Sequence, residues 1–292
     1  MTRERVVIAI VAFGILLTVL YVDYRFETHL GSLLLIAALG TLALSELYVL
    51  FRRVGLDSYP AFGVMCAAVL FLWRGIGQAL GIPADAVKES VAGLLAAVVA
   101  MPLLAVIFRS SLRPAGGREQ FERSAVTLYG LLLVWFLFSF VLEIRLLDDG
   151  TGTTHLGLKL AMVLVLSVKV GDSVAYVVGR SFGVTPLTWV SPKKTWEGAA
   201  SSVVGAVVVA LLLGMPLLRD WEPLRWWHML VFGVLTNVAG QFGDLLESLV
   251  KRRSGAKDSG NFLREMGGFL DLIDSLILAA PVGYLFVRLV VL

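Results

Sequence analysis

Repeated apolar runs of about 20 residues constrain the fold of this chain more than any other feature of its sequence. A helix of roughly 20 apolar residues is long enough to cross the hydrocarbon core of a bilayer. Hydrophobic residues make up 58% of the chain and charged residues 16%, whereas soluble domains are about 45–50% apolar and about 25% charged. One aqueous core cannot bury that excess, so the sequence predicts an all-α, polytopic transmembrane helical bundle.

Nine segments are long and apolar enough to be predicted spans. They are residues 5–22, 30–51, 60–80, 88–108, 125–142, 156–177, 200–217, 227–248 and 268–290. We expect one integral membrane unit, with N-terminal transmembrane helices in residues 1–150 and a C-terminal transmembrane catalytic region in residues 151–292. No small-residue cleavage site follows the first segment, which is therefore predicted to be a retained span and not a signal peptide.

The distribution of lysine and arginine predicts the orientation of the spans. With the N-terminus inside, 16 of these residues lie on the inner side and 7 on the outer side. The positive-inside rule then predicts a cytoplasmic N-terminus and a multi-pass protein of the inner (plasma) membrane, with its active site facing the cytoplasm. Basic loops also account for the net charge of +3. No basic-aromatic module is visible, so we expect no nucleic-acid partner.

Ionisable side chains inside the sixth predicted span indicate function, because such residues are costly in a membrane. Lys169, Asp172, Tyr176 and Arg180 share one helix face. The loop that follows contains SPKKTWEG at 191–198, whose lysines and hydroxyls are typical of a phosphate-binding loop. Its candidate residues are Ser191, Lys193, Lys194, Thr195 and Glu197. The alternatives are a structural Lys169–Asp172 pair and an ordinary basic loop.

A second polar stripe runs along the eighth span and continues into the ninth. Its residues are Asn237, Gln241, Asp244, Ser248 and Lys251, followed by Arg252, Lys257, Asp258, Gly267, Gly268, Asp271 and Asp274. Three of them, Asp244, Asp271 and Asp274, are acids near one end of two consecutive spans. Carboxylates crowded together repel one another, and a hard divalent cation such as Mg²⁺ relieves that repulsion. The alternative is that these acids only pair with neighbouring lysines and arginines.

Residues 248–274 resemble the signature of the phosphatidate cytidylyltransferases, or CDP-diacylglycerol synthases. The matching positions are Ser248, Lys251, Arg252, Lys257, Asp258, Gly260, Leu263, Gly267, Gly268, Phe269, Asp271 and Asp274. Residues 172–183 and 191–198 are also similar to a second block of that family, so the resemblance covers about 170–275. Three positions depart from the signature: Arg264 replaces Pro or Gly, Met266 replaces His, and Leu272 replaces Arg.

The resemblance implies transfer of a cytidylyl group from CTP to phosphatidate or a similar lipid phosphate. It implies that Asp244, Asp271 and Asp274 hold Mg²⁺ on the triphosphate and that Lys251 acts with them in catalysis. It further implies that the other signature and loop residues bind substrate. These are Asp172, Tyr176, Arg180, Ser191, Lys193, Lys194, Thr195, Glu197, Ser248, Arg252, Lys257, Asp258, Gly267 and Gly268. Expected partners are CTP, the lipid phosphate and membrane lipids, and a homodimer is left open.

The altered signature positions keep other functions open. One is the same chemistry on another lipid phosphate, and a second is a CTP-dependent lipid kinase. From a different class, the chain could be a transporter or a silenced paralogue that acts as a scaffold. Polarity confined to the C-terminal half argues against a transporter, which commonly shows broken helices in both halves. The retained acids Asp244, Asp271 and Asp274 argue against a silenced copy.

Overall fold

The computed structural model is mostly helical in the part of the chain that it describes. The described residues are 3–80, 82, 86–87, 89–100, 117–148, 155–221, 224–256, 258–260 and 267–291. Within them the helices are α1 (Arg3–Arg25), α2 (Leu30–Arg53), α3 (Pro60–Ala79), α4 (Glu89–Ala100), α5 (Gly117–Gly130, Leu131–Phe136 and Leu137–Arg145), α6 (His155–Phe182), α7 (Trp196–Val209, Ala210–Gly214 and Met215–Leu217), α8 (Trp226–Arg253) and α9 (Phe269–Phe286 and Val287–Val291). The all-α class is therefore confirmed.

Seven helices among the described residues are long and apolar enough to cross a membrane, namely α2, α3 and α5 to α9. The predicted first span coincides with α1. Helix α4 is shorter, and residues 101–108 of the predicted fourth span lie outside the described residues. A polytopic membrane protein is confirmed, while the count of nine spans and the cytoplasmic N-terminus stay predictions.

Three of these spans contain a π-helical segment, which hydropathy does not reveal. The segments are Leu131–Phe136 in α5, Ala210–Gly214 in α7 and Val287–Val291 in α9. A π turn adds a residue to the helical repeat and shifts the face that later residues present. In α5 the face therefore changes partway along the span, whereas in α7 and α9 the π segment lies near the end of the helix.

The chain divides into two compact units. The first contains Met1–Asp23, Thr28–Ser139 and Arg253–Asp271, and the second contains Tyr24–Glu27, Phe140–Arg252 and Leu272–Leu292. The predicted division at residue 150 follows the sequence alone and stays a prediction.

Tyr48 is the centre of packing in the first unit. Its ring is buried, and a Cβ added at Gly63 in α3 or at Gly130 in α5 would overlap with it. The two glycines thus let three helices approach closely around one aromatic side chain. The Tyr48 hydroxyl donates to the carbonyl oxygen of Thr127 at 2.7 Å, which satisfies both buried polar groups.

In the second unit, buried amides join α7 to α8. Asn237 Nδ2 donates to Ser202 Oγ at 2.9 Å, and Gln241 Nε2 donates to Asn237 Oδ1 at 2.8 Å and to the Ala199 carbonyl at 3.1 Å. A Cβ at Gly171 of α6 would overlap with the Asn237 amide. These bonds join α7 to α8, because an unpaired amide in a membrane interior is costly, and Gly171 lets α6 pack against the same amide.

We expect Tyr48→Phe to lower the stability of the folded protein by about 0.5–1.5 kcal/mol, because it removes one buried hydrogen bond and keeps the ring. Thermal unfolding in detergent would show the loss as a lower Tm. The matched control is Tyr129→Phe, since Tyr129 is 52% exposed. Equal Tm values for the two variants would contradict the role assigned to Tyr48.

Candidate active site

The loop between α6 and α7 folds back on itself. The Leu187 amide donates to the Lys194 carbonyl at 2.7 Å, and the Trp196 amide donates to the Thr185 carbonyl at 3.0 Å. Pro186 and Thr195 form an isolated antiparallel bridge between the same two stretches. The loop is therefore a short hairpin, and its basic residues lie on a defined backbone.

Two of the predicted substrate-binding residues stabilise the end of this hairpin. Thr195 is the N-cap of α7, and its Oγ1 accepts from the Gly198 amide at 3.2 Å. The Glu197 carboxylate accepts from the Thr185 and Val184 amides at 3.3 Å. A hydroxyl at an N-cap satisfies an amide that the helix leaves unpaired. Contact of Thr195 and Glu197 with substrate stays a prediction.

Lys194 links the hairpin to α8, because its ammonium group forms an ion pair with the Asp244 carboxylate. Arg252 Nε donates to the Val190 carbonyl at 3.4 Å, which is a second, weaker link between α8 and the hairpin. Lys193, the neighbouring lysine, is exposed. The sequence thus placed two lysines side by side, and the fold gives them different environments.

On α6, Lys169 lies between two carboxylates. Its Nζ is 3.8 Å from Asp172 Oδ2 and 3.7 Å from Asp274 Oδ1 of α9. It also donates to Ser275 Oγ at 2.8 Å, and Ser275 Oγ donates to Asp172 Oδ2 at 3.2 Å. The Lys169–Asp172 pair that sequence suggested is therefore one part of a larger network.

Two carboxylates of α8 converge with one of α9. Oxygen atoms of Asp244, Glu247 and Asp274 all lie within 4.8 Å of one another. Glu247 is almost fully buried, with 3% of its side chain exposed, and it pairs with Lys251 at 2.5 Å. All-oxygen donor sets suit hard cations such as Mg²⁺, whose ligands lie at about 2.0–2.1 Å. The donor set therefore fits a Mg²⁺ ion after a small inward shift of the carboxylates.

We call these ionic residues of the second unit the charged cluster. Its members are Lys169, Asp172, Lys194, Asp244, Glu247, Lys251 and Asp274. Four carboxylates face three ammonium groups in this set, so the acids outnumber the bases by one. Such an excess favours a cation, because buried like charges cost free energy until a counter-ion joins them.

Asp271 belongs to the first unit, and its carboxylate has several hydrogen-bond donors. Oδ2 accepts from the Ser259 amide at 3.0 Å, from Ser259 Oγ at 2.7 Å and from the Gly268 amide at 2.7 Å. Asp271 is the third residue of α9, so this contact with Gly268 is one half of a capping box. Its predicted role as a metal ligand stays a prediction.

Three further predicted substrate-binding residues, Tyr176, Ser248 and Ser191, differ in their hydrogen-bond partners. Tyr176 is exposed and its hydroxyl accepts from Arg180 Nη1 at 3.1 Å. Ser248 Oγ is 3.4 Å from Asp244 Oδ1. The Ser191 carbonyl accepts from the Lys194 amide at 3.0 Å and closes the tip of the hairpin.

The structure describes some of the remaining signature residues and not others. Asp258 is exposed, and Gly267 is buried with a φ of +90° that favours glycine. Lys257, Arg264 and Met266 lie outside the described residues. Leu272 is half-buried in α9.

Sequence reasoning missed Glu247 as a member of the site. It lies three residues after Asp244 and so on the same face of α8, a signal that was available. Glu46 in α2 was also missed. It is an acid in a predicted span, and its Oε2 accepts from Ser259 Oγ and from the Leu270 amide, both at 2.9 Å.

Comparison with known proteins adds family evidence. The model of the cytidylyltransferase family matches residues 3–290. The chain is 30% identical over 278 residues to phosphatidate cytidylyltransferase of Bacillus subtilis (strain 168), covering 94% of this chain and 96% of that protein. It is 35% identical over 190 residues to phosphatidate cytidylyltransferase 5, chloroplastic, of Arabidopsis thaliana, covering 59% of this chain and 47% of that protein. The chain thus spans about half the length of the plant relative, and the family resemblance is confirmed.

We expect the folded protein to bind Mn²⁺, a paramagnetic hard cation that prefers oxygen ligands. Glu247→Gln should weaken that binding about tenfold or more, because it removes one of three converging carboxylates. Titration followed by electron paramagnetic resonance measures the affinity. The matched control is Asp220→Asn, because Asp220 is exposed and pairs with Arg219. Equal Mn²⁺ affinity in the two variants would count against a cation site at Glu247.

Proposed function

The chain belongs to the cytidylyltransferase family, and we propose that it transfers the cytidylyl group of CTP to phosphatidate. The products are CDP-diacylglycerol and pyrophosphate. Relatives with the name phosphatidate cytidylyltransferase support this acceptor, including the Bacillus protein that aligns along nearly the whole chain.

The observation that carries the proposal is the charged cluster. Nucleotidyl transfer needs positive charge on the triphosphate, supplied by a metal ion and by basic side chains. The charged cluster offers a candidate metal site, where Asp244, Glu247 and Asp274 converge. It also offers basic side chains, since Lys194 and Lys251 pair with two of these acids. We found no other group of three or more converging metal-binding side chains in the described residues.

The reaction is an in-line displacement at the α-phosphorus of CTP. A phosphate oxygen of phosphatidate forms the new bond to the α-phosphorus, and the bond from the α-phosphorus to the oxygen that joins it to the β-phosphorus breaks, so that this oxygen leaves with pyrophosphate. The lipid phosphate is already anionic, so this step requires no general base. A bound Mg²⁺ would supply positive charge to the triphosphate and to the leaving pyrophosphate.

The lysines of the charged cluster change partners in this proposal. In the ligand-free arrangement Lys194 pairs with Asp244, and Lys251 pairs with Glu247. When those carboxylates hold a cation, the two ammonium groups become available to phosphate oxygens. Lys193, exposed on the hairpin, is available to phosphate without any such exchange. The substrates therefore replace contacts that the protein makes with itself.

A membrane location suits the lipid acceptor. Seven helices in the described part of the chain have the length and composition of membrane spans, and the basic hairpin joins two of them. We further propose that this hairpin faces the cytoplasm of the inner membrane, since CTP is cytosolic and the basic loops favour that side. The lipid phosphate then approaches from the headgroup region, and CTP approaches from water.

We expect purified protein in mixed micelles with phosphatidate, Mg²⁺ and radiolabelled CTP to form lipid-soluble label. Asp244→Asn should reduce the rate about 100-fold or more, because it removes a carboxylate from the proposed cation site and the partner of Lys194. Asp220→Asn, on the exposed surface, should keep the wild-type rate. Folded wild-type protein that yields no lipid-soluble label would overturn the proposal.

The position of the label distinguishes transfer of a cytidylyl group from a kinase reaction. CTP labelled at the α-phosphorus should label the lipid, whereas CTP labelled at the γ-phosphorus should release the label as pyrophosphate. Diacylglycerol should not replace phosphatidate, since it lacks the attacking phosphate. Lipid labelled from the γ-phosphorus would instead establish a CTP-dependent lipid kinase.

A further inference from the structure

Glu46 stands out because it belongs to the N-terminal half of the chain and contacts the signature segment. It lies in α2, within an apolar sequence, and its side chain is half-buried. An ionisable residue inside a membrane span is costly, and it is retained where other groups engage it. The groups that engage Glu46 lie on both described ends of one loop, which we call the signature loop (residues 258–260 and 267–271).

Glu46 caps the start of α9. Its Oε2 accepts from the Leu270 amide at 2.9 Å, and Leu270 is the second residue of that helix. A helix normally receives this bond from a Ser, Thr, Asp or Asn at the N-cap position. The residue before α9 is Gly268, which has no side chain that could accept this bond. Glu46 therefore supplies from another helix the acceptor that Gly268 lacks.

Glu46 also holds the beginning of the signature loop. The Ser259 hydroxyl lies 2.9 Å from Glu46 Oε2 and 2.7 Å from Asp271 Oδ2. A hydroxyl carries one proton and can donate to one of these carboxylates at a time. Ser259 thus bridges Glu46 to Asp271, and both ends of the loop meet at the Glu46 carboxylate.

Two signature glycines leave the space that this carboxylate fills. A Cβ on Gly260 would overlap with Glu46 Oε1 and lie 2.8 Å from Cδ, and a Cβ on Gly268 would overlap with Oε2 and with Ser259 Oγ. A Cβ does not approach other atoms that closely, so a side chain at either position would displace Glu46. The glycines at 260 and 268 therefore leave room for the acid from α2 beside the two described ends of the signature loop.

From these contacts we propose that Glu46 is a positioning residue for cytidylyl transfer: it fixes the signature loop and the first turn of α9. Asp271, which the signature predicts as a metal ligand, is the third residue of this helix, and Ser259 bridges it to Glu46. This inference rests on the proposed function, and it assigns Glu46 no direct contact with substrate.

The kinetic test compares Glu46→Ala with two matched variants. Glu46→Gln keeps an acceptor for the Leu270 amide, and Ser45→Ala changes the neighbouring residue, whose hydroxyl donates to the Leu42 carbonyl of its own helix at 2.6 Å. We expect Glu46→Ala to raise the KM for CTP about tenfold or more, since a small displacement of a site is costly. Glu46→Gln and Ser45→Ala should stay within about twofold of the wild-type KM. A loss of folded protein lowers the measured rate but leaves KM unchanged, so KM separates positioning from stability.

Amide hydrogen exchange supplies a second readout that needs no activity. In Glu46→Ala, peptides that cover Gly267–Asp271 should exchange about threefold to tenfold faster than in the wild type, because one hydrogen bond is lost. Peptides from α8 should exchange at the wild-type rate. Faster exchange with an unchanged KM would reduce Glu46 to a helix cap and overturn the positioning role.

An unchanged KM together with unchanged exchange would overturn the proposal altogether, as would a Glu46→Gln variant that is as impaired as Glu46→Ala. Failure of the proposed function looks different. In that case the wild-type protein itself gives no lipid-soluble label, and the exchange comparison still decides whether Glu46 fixes the signature loop.

Discussion

Pairing of charges inside membrane-spanning helices is the constraint on which the second unit depends. A lone ionised group in a lipid interior is costly, and a charge that meets a partner of opposite sign recovers much of that cost. Lys169 contacts two carboxylates, Lys194 crosses from the hairpin to Asp244, and Lys251 covers Glu247. The amide bonds of Asn237 and Gln241 keep α7 and α8 close enough for these pairs to form. The interactions that lower the free-energy cost of these charges are therefore the same ones that hold the site together.

The first unit meets the same constraint with backbone amides instead of lysines. Glu46 and Asp271 accept hydrogen bonds from the Leu270, Gly268 and Ser259 amides and from the Ser259 hydroxyl. Amides at the start of a helix have no partner within it, and they carry a partial positive charge. Each unit thus stabilises its acids with the donors that its own local structure leaves available.

Much of the fold could be predicted from the sequence, because every backbone group in a bilayer must be satisfied within the span. Hydropathy alone therefore indicated the helical class, and polar residues within spans indicated Asp172, Asp244 and Asp274. The pairs that join separate elements could not be predicted, since Lys169 reaches Asp274 on α9 and Lys194 reaches Asp244 on α8. Thr195 and Glu197 show a second limit of sequence analysis. Beside two lysines, their side chains are compatible with a substrate-binding loop and equally with the cap of a helix. Glu46 shows a third, since its partners are more than 200 positions away in the chain.

The ion pairs differ in when they can form during synthesis. Glu247 and Lys251 are one turn apart on α8, and Lys169 and Asp172 are neighbours on α6, so both pairs can close within a single helix as it leaves the ribosome. The pair of Lys194 with Asp244 must wait until α8 follows the hairpin, and the pair of Lys169 with Asp274 must wait until α9 follows. Pairs within one helix lower the free-energy cost of inserting that helix into lipid. Pairs between separate elements stabilise the assembled helices. The pairs that join separate elements therefore form after those within one helix, and they complete the charged cluster.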